Sequence, residues 1–184
     1  MSLKKNNYIF FKPIKSKRIG IRELEITDSL DIYELFRNNN VTKNLAIDTF
    51  KSENNAIDLI NRAINQYKNQ DIFYLGINTN IDNRIIGYIG LSRFDLTIDT
   101  CQVVYALNED YWGMGIMVEA LKLFIDYLVN IQNKKKIIAT HIVRNVNSGK
   151  VMIKSGMSRD ELLDREMVIR NKIEKLIGYS IIKE

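Results

Sequence analysis

The residues best suited to chemistry lie in two glycine-containing segments about thirty residues apart. In the first, Gly113 and Gly115 separate an apolar segment from the amphipathic segment that follows it. Glycine lets the backbone turn with positive φ, and a helix that begins there exposes unpaired N–H groups. Such groups, together with the helix dipole, bind anions such as a pyrophosphate. Two glycines before a helix also suit an ordinary strand-to-helix turn, so this segment alone leaves both interpretations open.

The second segment, Asn145 to Met157, begins with an asparagine that is followed at +3, +6, +9, +11 and +12 by serine, valine, lysine, glycine and methionine. This series resembles the end of a strand and the following helix in the GNAT superfamily of N-acetyltransferases, in particular its ribosomal-protein N-terminal acetyltransferase (RimJ/RimL-like) branch. The resemblance extends to a strand and helix between Lys17 and Tyr33 and to a closing hairpin from Leu163 to Tyr179. It therefore covers nearly the whole chain from Lys17.

The resemblance implies an α+β (mixed α/β) protein with the GNAT acyl-CoA N-acyltransferase fold. Its twisted sheet is mixed and mostly antiparallel, helices flank it, and its fourth and fifth strands form a parallel pair that splays apart. We expect residues 1–16 to be an N-terminal extension and residues 17–184 to form one N-acetyltransferase domain.

Hydrophobic periodicity predicts the same alternation of elements. The expected helices are Ser29–Arg37, Ser52–Lys68, Gly115–Ile131 and Asn147–Ser155, and the expected strands are Ile19–Leu24, Ile72–Ile77, Ile85–Leu91, Cys101–Leu107, Lys136–Val143, Glu166–Arg170 and Ile173–Ile182. Asp28 is expected to cap the first helix and Gly156 to end the last one. The unit from Cys101 to Val143 predicts two parallel neighbouring strands with a right-handed crossover. The final hairpin is expected to turn around Asn171-Lys172.

Acetyl-CoA is the co-substrate that the resemblance implies. Its pantetheine arm would lie between the parted strands, where a backbone N–H of the fourth strand would also polarise the thioester carbonyl. The residues expected to contact it are Val104, Tyr105, Ala106 and Leu107 of that strand, Trp112, Gly113, Met114, Gly115, Ile116, Met117 and Val118 of the turn and helix start, and Asn145 and Lys150 of the second segment.

Three residues of the first segment depart from the family pattern. Met117 replaces a small residue, Val118 a common threonine or serine, and Met114 a frequent lysine that would face phosphate. The Met117 side chain either turns inward onto the apolar stripe of its helix or crowds the cradle. Trp112 is expected to be an amphipathic anchor under the turn.

Catalysis would need a proton for the departing thiolate. Many GNAT enzymes use a tyrosine at the position of Met152, which has no proton to give. In the ribosomal-protein branch a serine is the suggested donor, and Ser148 matches it. The alternative is that Ser148 or Asn147 caps the short helix. Asn145 would orient the cofactor or the acceptor.

A side-chain base is harder to find. Gln102 and Lys175 occupy positions where the branch often has acidic residues, which leaves Glu166 and Glu23 as unproven acids. The single histidine, His141, is expected to be a core residue. A missing base favours an acceptor of low pKa: an α-amino group of a protein or peptide N-terminus, or a small amine. Acceptor specificity would sit in the loops Asn38 to Lys51 and Asp95 to Thr100.

Composition bounds the class of protein. The chain has 184 residues, 46% of them hydrophobic, which suffices for one core, and a single cysteine, Cys101, which excludes an internal disulfide. No segment has the length of a membrane span, so we expect a cytoplasmic enzyme with no membrane partner. We also expect no metal. The sequence leaves both a monomer and a homodimer possible.

The formal net charge is +5. It suits the anionic phosphates of CoA, but it could also suit nucleic acid. Lys134-Lys135-Lys136 is the one basic run, and without adjacent aromatic residues it is expected to be a solvated loop rather than a nucleic-acid site. The alternative to an enzyme is a non-catalytic GNAT-fold domain that binds a metabolite or a protein partner.

Overall fold

We describe a computed structural model that covers residues 11–69, 74–92 and 99–183. Most of the N-terminal extension, the first two residues of the predicted strand Ile72–Ile77 and most of the loop Asp95 to Thr100 lie outside these residues. The described strands are β1 (Ile14–Lys15), β2 (Ile19–Glu23), β3 (Tyr74–Thr79), β4 (Ile85–Ser92), β5 (Thr100–Leu107), β6 (Lys136–Ile142), β7 (Ser158–Arg159), β8 (Arg165–Ile169) and β9 (Lys172–Ile182). The described α-helices are α1 (Ser29–Arg37), α2 (Asn39–Thr42), α3 (Glu53–Lys68), α4 (Ile116–Asn130) and α5 (Val146–Lys154).

All nine described strands form one sheet, in the order β1-β2-β3-β4-β5-β6-β9-β7, with β8 paired to β9. The pairing of β5 with β6 is parallel, and every other pairing is antiparallel. The predicted mixed, mostly antiparallel sheet is therefore confirmed. Because the two-residue β1 comes first, the strands that we expected to splay are β5 and β6.

The helices cover apolar strand surfaces. Helix α1 packs against α3 and β4, α4 contacts β2, and α5 packs on β6 and β9. Phe36 of α1 and Phe124 of α4 are completely buried, as is Cys101 inside β5. The periodic apolar residues that predicted these helices thus form one hydrophobic core.

Local polar chemistry corrects two details of the sequence analysis. Asp28 holds the N-cap position of α1, but its carboxylate makes no cap bond there. It instead accepts two hydrogen bonds of 2.8 Å from Arg22. The final hairpin turns at Arg170 and Asn171, one residue earlier than expected, and both residues have positive φ (50° and 61°). Gly156 follows the last helix with φ 93°, as a C-terminal glycine should.

Candidate active site

Strands β5 and β6 pair at one end and then part. Thr100, Cys101 and Gln102 lie opposite residues 136–138, and no register partner on β6 follows Gln102. On its other side β5 stays paired with β4 as far as Leu107. Residues 103–107 therefore present one backbone edge to an opening in the sheet.

The backbone groups at this opening can be assigned from the ladder. Asn108 N–H donates to Ile86 O at 2.8 Å, so alternate residues of β5 face β4, and Tyr105 and Leu107 direct their N–H and C=O groups toward the opening. The Trp112 indole donates to Leu107 O at 2.8 Å. The polar contact expected of an anchoring Trp112 is thus present, whereas the side chain itself is 43% exposed. The N–H and C=O of Tyr105 remain for an amide-containing ligand.

The turn before α4 has the backbone that its glycines allow. Gly113 and Gly115 have φ of 78° and 73°, and Gly115 is the N-cap of α4 without a side-chain cap. The first intrahelical bond joins Glu119 N–H to Gly115 O, so the N–H groups of residues 116–118 have no partner within the helix. A Cβ placed on Gly113 would meet no atom within 4 Å, so the space beside this residue is open. This cradle, defined as residues 113–118, fits an anionic ligand such as a pyrophosphate.

The two methionines of the cradle have different environments. Met117 is only 6% exposed and belongs to the hydrophobic core, whereas Met114 is 58% exposed. The inward orientation of Met117 is therefore confirmed, and its thioether does not fill the cradle. Val118 is half-buried.

The helix α5 brings Ser148 to the opening. Asn145 is its N-cap, so Asn147 and Ser148 lie inside the first turn, and the alternative in which one of them caps the helix is wrong. Ser148 Oγ lies 2.9 Å from Tyr105 Oη, and Tyr105 O–H also reaches Ser148 O at 3.2 Å. When Tyr105 donates to Ser148 Oγ, the serine proton is free to be donated elsewhere.

Burial raises the pKa of Tyr105 well above its ordinary value, and the hydrogen bond to Ser148 opposes this only in part. The Tyr105 hydroxyl therefore stays protonated at neutral pH. Tyr105 and Ser148 thus form a chain of two hydroxyl donors beside the part of β5 that has no partner on β6.

Two buried aromatic side chains, His141 and Tyr179, lie beside the first half of α5. His141 is 7% exposed, as expected for a core residue, and its ring stacks on Tyr179 with centroids 5.7 Å apart. Its Nδ1 lies 2.9 Å from Ile142 O, and because a carbonyl only accepts, Nδ1 carries the proton. Both rings touch the space around Gly149, the residue after Ser148.

An acyl-CoA site of parted strands, cradle and serine-bearing helix agrees with the comparison with known families. Residues 18–158 match the family described as the acetyltransferase (GNAT) domain. This chain belongs to the GNAT acetyltransferase family. It is an enzyme that transfers an acetyl group from its co-substrate acetyl-CoA to an amine.

Relatives of this GNAT enzyme agree in fold and in class. It is 26% identical to a probable N-acetyltransferase, YjcK, of Bacillus subtilis (strain 168) over 167 residues, which cover 85% of this chain and 89% of YjcK. It is 27% identical over 99 residues to the [ribosomal protein uS5]-alanine N-acetyltransferase of Escherichia coli (strain K12), 53% of this chain and 51% of that one. The ribosomal-protein-S5-alanine acetyltransferase structure from Vibrio fischeri has the same fold, with a TM-score of 0.77 and 22% identity over 95% of this chain and 98% of that one.

The two candidate acids of the sequence, Glu166 and Glu23, make no described contact with the Tyr105–Ser148 pair. Glu166 is exposed and lies opposite Lys175 in the β8–β9 ladder. Glu23, whose pKa burial raises, is on β2, three strands from β5 and thus roughly 14 Å from it at the usual strand spacing. Gln102 donates to Thr140 at 3.3 Å and its oxygen lies 3.1 Å from Arg165.

The segment Asn38 to Lys51 approaches both sides of the opening, and its first residues form the short helix α2, which periodicity did not predict. Asn38 donates to Glu109, just beyond β5, at 2.7 Å. Hydrogen bonds from Asn38 and Asn40 lower the pKa of Glu109, so this carboxylate accepts protons poorly at neutral pH. Beyond β6, Arg144 donates to Lys43 O at 3.1 Å.

Sequence reasoning missed the Tyr105 side chain and Arg18. We expected Tyr105 to contribute only its backbone, and Arg18 received no role. Arg18 donates to Met114 O at 2.9 Å, inside the cradle. By contrast, Lys150, the fifth residue of α5, is exposed, and the described residues show no contact between it and the cradle.

Within residues 11–69, 74–92 and 99–183 no three potential metal ligands converge, and no helix has the length and apolarity of a membrane span.

The cradle can be tested with Gly115→Ala. A left-handed conformation costs a non-glycine residue about 1–2 kcal/mol, so the first turn of α4 should rearrange and weaken acetyl-CoA binding about tenfold. Trp112 is the one tryptophan of the chain, so quenching of its fluorescence would follow acetyl-CoA binding at the site itself. Gly156→Ala imposes a similar strain (φ 93°) after the C-terminus of a different helix, α5, and is the matched control. Equal affinities of both variants would argue against the cradle.

Proposed function

We propose that this GNAT enzyme acetylates α-amino groups, either of a protein or peptide N-terminus or of a small amine, as a member of the RimJ/RimL-like branch. The observation that carries the proposal is the lack of a described carboxylate free to act as a base beside Ser148. At the two positions where the branch often has acids, Gln102 is tied to Thr140 and Arg165, and Lys175 is a cation. A lysine there repels a protonated substrate.

Proton affinity of the acceptor then decides the rate. An α-amine with a pKa of ~7.8 is roughly one-tenth neutral at pH 7, whereas a lysine of pKa ~10.4 is neutral in about one molecule in 2,500. The difference corresponds to about 3.5 kcal/mol of barrier that a lysine acetylase must offset by other means. An enzyme without a base therefore favours the α-amine, with water removing its proton.

The relatives support this choice of acceptor. Two of the similar proteins described above are named for acetylating the alanine of ribosomal protein S5. A ribosomal-protein N-terminus would place the reaction in the cytoplasm. We also propose that residues 17–184 act as a single catalytic domain.

Each group near the opening has a proposed task. The co-substrate supplies an acetyl thioester, and a β5 backbone N–H, that of Tyr105 being the one directed at the opening, would polarise its carbonyl. Ser148 would give its proton to the departing sulfur while the C–S bond breaks and the C–N bond forms. Tyr105 would pass a proton to Ser148 along their 2.9 Å contact and regain one from the water that has taken the proton of the amine, and the Asn145 amide would orient the reactants.

Two peptides of otherwise equal sequence test the proposal. One has a free N-terminus and no lysine, and the other has a blocked N-terminus and one lysine. We expect acetylation of the first, detected by mass, at a rate at least a hundredfold above that of the second. A panel of small amines in the same assay extends the test, and equal rates on both peptides would contradict it.

The rate should also depend on pH in one direction only. We expect it to rise as the acceptor amine loses its proton, through pH ~7.8 for an α-amine, and then to stay level. Tyr105 causes no decline near neutral pH because its pKa is raised. A further inflection that Glu166→Gln abolishes would show that an enzyme carboxylate is the base, contrary to this proposal.

A further inference from the structure

Arg18 joins the N-terminal strands to the cradle. It directly precedes β2, and its guanidinium donates through Nη1 to Met114 O at 2.9 Å and through Nε to Glu119 Oε2 at 2.6 Å. Glu119 lies in the first turn of α4, the helix whose amides line the cradle. Residues that are 101 positions apart in the chain therefore meet at the start of this helix.

The bond to Met114 sets the direction of a cradle amide. In a trans peptide the C=O and the next N–H point in opposite directions. Because Arg18 holds the Met114 oxygen, the N–H of Gly115 points away from Arg18. The guanidinium thus fixes one peptide plane of a turn whose two glycines could otherwise adopt several conformations.

Some N–H groups of the Arg18 guanidinium are not used by Met114 or Glu119. Of its five N–H groups, three are used by Met114 and Glu119, and the described residues account for no more. Its Nη2 lies 3.8 Å from the position that a Cβ on Gly115 would occupy, and the side chain is 46% exposed. Two N–H groups are therefore available to a ligand beside Gly115.

Charge balance points the same way. Without Arg18, the carboxylate of Glu119, the residue that directly follows the cradle, would be an uncompensated negative charge and would repel an anion. Burial alone would raise the pKa of Glu119, but hydrogen bonds from Ser16 and Arg18 outweigh burial and lower it, so Glu119 is ionised at neutral pH. Ser16 donates at 2.6 Å and the Arg18 backbone N–H at 3.2 Å, so the carboxylate is held on the side of β2.

We propose that Arg18 is a phosphate-binding residue of this enzyme: it orients the Gly115 amide and supplies to the pyrophosphate of CoA the cation that Met114 does not. The proposal rests on the assignment of residues 113–118 as the cradle. It gives the segment Ser16–Arg18, for which no part in the site was predicted, a function in co-substrate binding.

Binding measurements test Arg18 without knowledge of the acceptor. We expect Arg18→Ala to weaken acetyl-CoA binding about tenfold to thirtyfold, the usual range for a charge-assisted hydrogen bond plus loss of orientation. S-acetyl-pantetheine, which lacks the pyrophosphate, should bind wild type and variant equally. Arg84→Ala removes a comparable ion pair, Arg84 with Asp31 at 2.8 Å, away from the cradle, and should leave both affinities unchanged.

Other outcomes would overturn the proposal. Equal losses for acetyl-CoA and S-acetyl-pantetheine would mean that Arg18 only holds the fold together. If Arg18→Ala binds acetyl-CoA normally while Gly115→Ala is defective, Arg18 has no part in binding but the assignment of the cradle stands. If both variants bind acetyl-CoA normally, the assignment of the cradle is wrong as well. If Arg18→Ala fails to fold, Arg18→Gln keeps a donor for Met114 and removes the charge, and it should show a smaller loss that is still specific to acetyl-CoA.

Discussion

Ser148→Ala is expected to lower kcat about a hundredfold and to leave the KM for acetyl-CoA nearly unchanged. A positioned acid contributes about 10²–10⁴ in rate, and alanine removes the hydroxyl that lies 2.9 Å from Tyr105. In the proposed site, the co-substrate would bind to backbone groups of β5 and to the cradle, which this change does not alter. Steady-state kinetics with the best α-amine from the peptide screen would measure both constants.

Three variants make this result specific. Asn147→Ala alters the preceding, exposed side chain and should have no effect on kcat. Tyr105→Phe should lower kcat as well, and the double variant should lose less than the product of the two single losses, because both residues serve one proton chain. A Ser148→Ala enzyme with normal kcat would show that Ser148 is only a structural partner of Tyr105.

Gly149→Ala should damage both stability and catalysis. A Cβ there would lie 2.7 Å from His141 Nε2 and 3.2 Å from Tyr179 Oη. The imidazole cannot easily retreat, because it stacks on Tyr179 and its Nδ1 is bonded to Ile142 O. Helix α5 must shift instead. Overpacking of this kind costs about 1–3 kcal/mol, or roughly 3–10 °C in Tm for a chain of this size.

The direction of this effect is diagnostic. Alanine inside a helix is normally more favourable than glycine by about 1 kcal/mol, so helix propensity alone predicts a higher Tm. We expect a lower Tm, measured by thermal unfolding, and a kcat reduced about as far as in Ser148→Ala, since the shift separates Ser148 from Tyr105. The double variant Gly149→Ala/His141→Ala should recover stability relative to Gly149→Ala, because it removes the clashing ring. A raised Tm in the single variant would contradict the packing described here.

Local patterns predicted most elements to within one or two residues. Helix α1 begins and ends where its apolar spacing indicated, and α4 follows the stripe that begins after Gly115. The parallel pair β5 and β6 also followed from the intervening helix. Where prediction failed, a side chain bonded to a residue of a neighbouring element: Asp28 binds Arg22 of β2 rather than the start of α1. Helix α2 was missed because four residues are too few for a periodic signal.

By itself the sequence determined the family, the order of the elements and the two segments that form the site, because glycine positions, helical periodicity and the asparagine–serine spacing are local properties of the chain. Only the tertiary structure decided which side chains cooperate. Tyr105 meets Ser148 across 43 positions and Arg18 meets Glu119 across 101, and such pairs arise from strand order and helix packing. The inward direction of Met117 belongs to the same class, since it depends on which face of α4 the sheet covers.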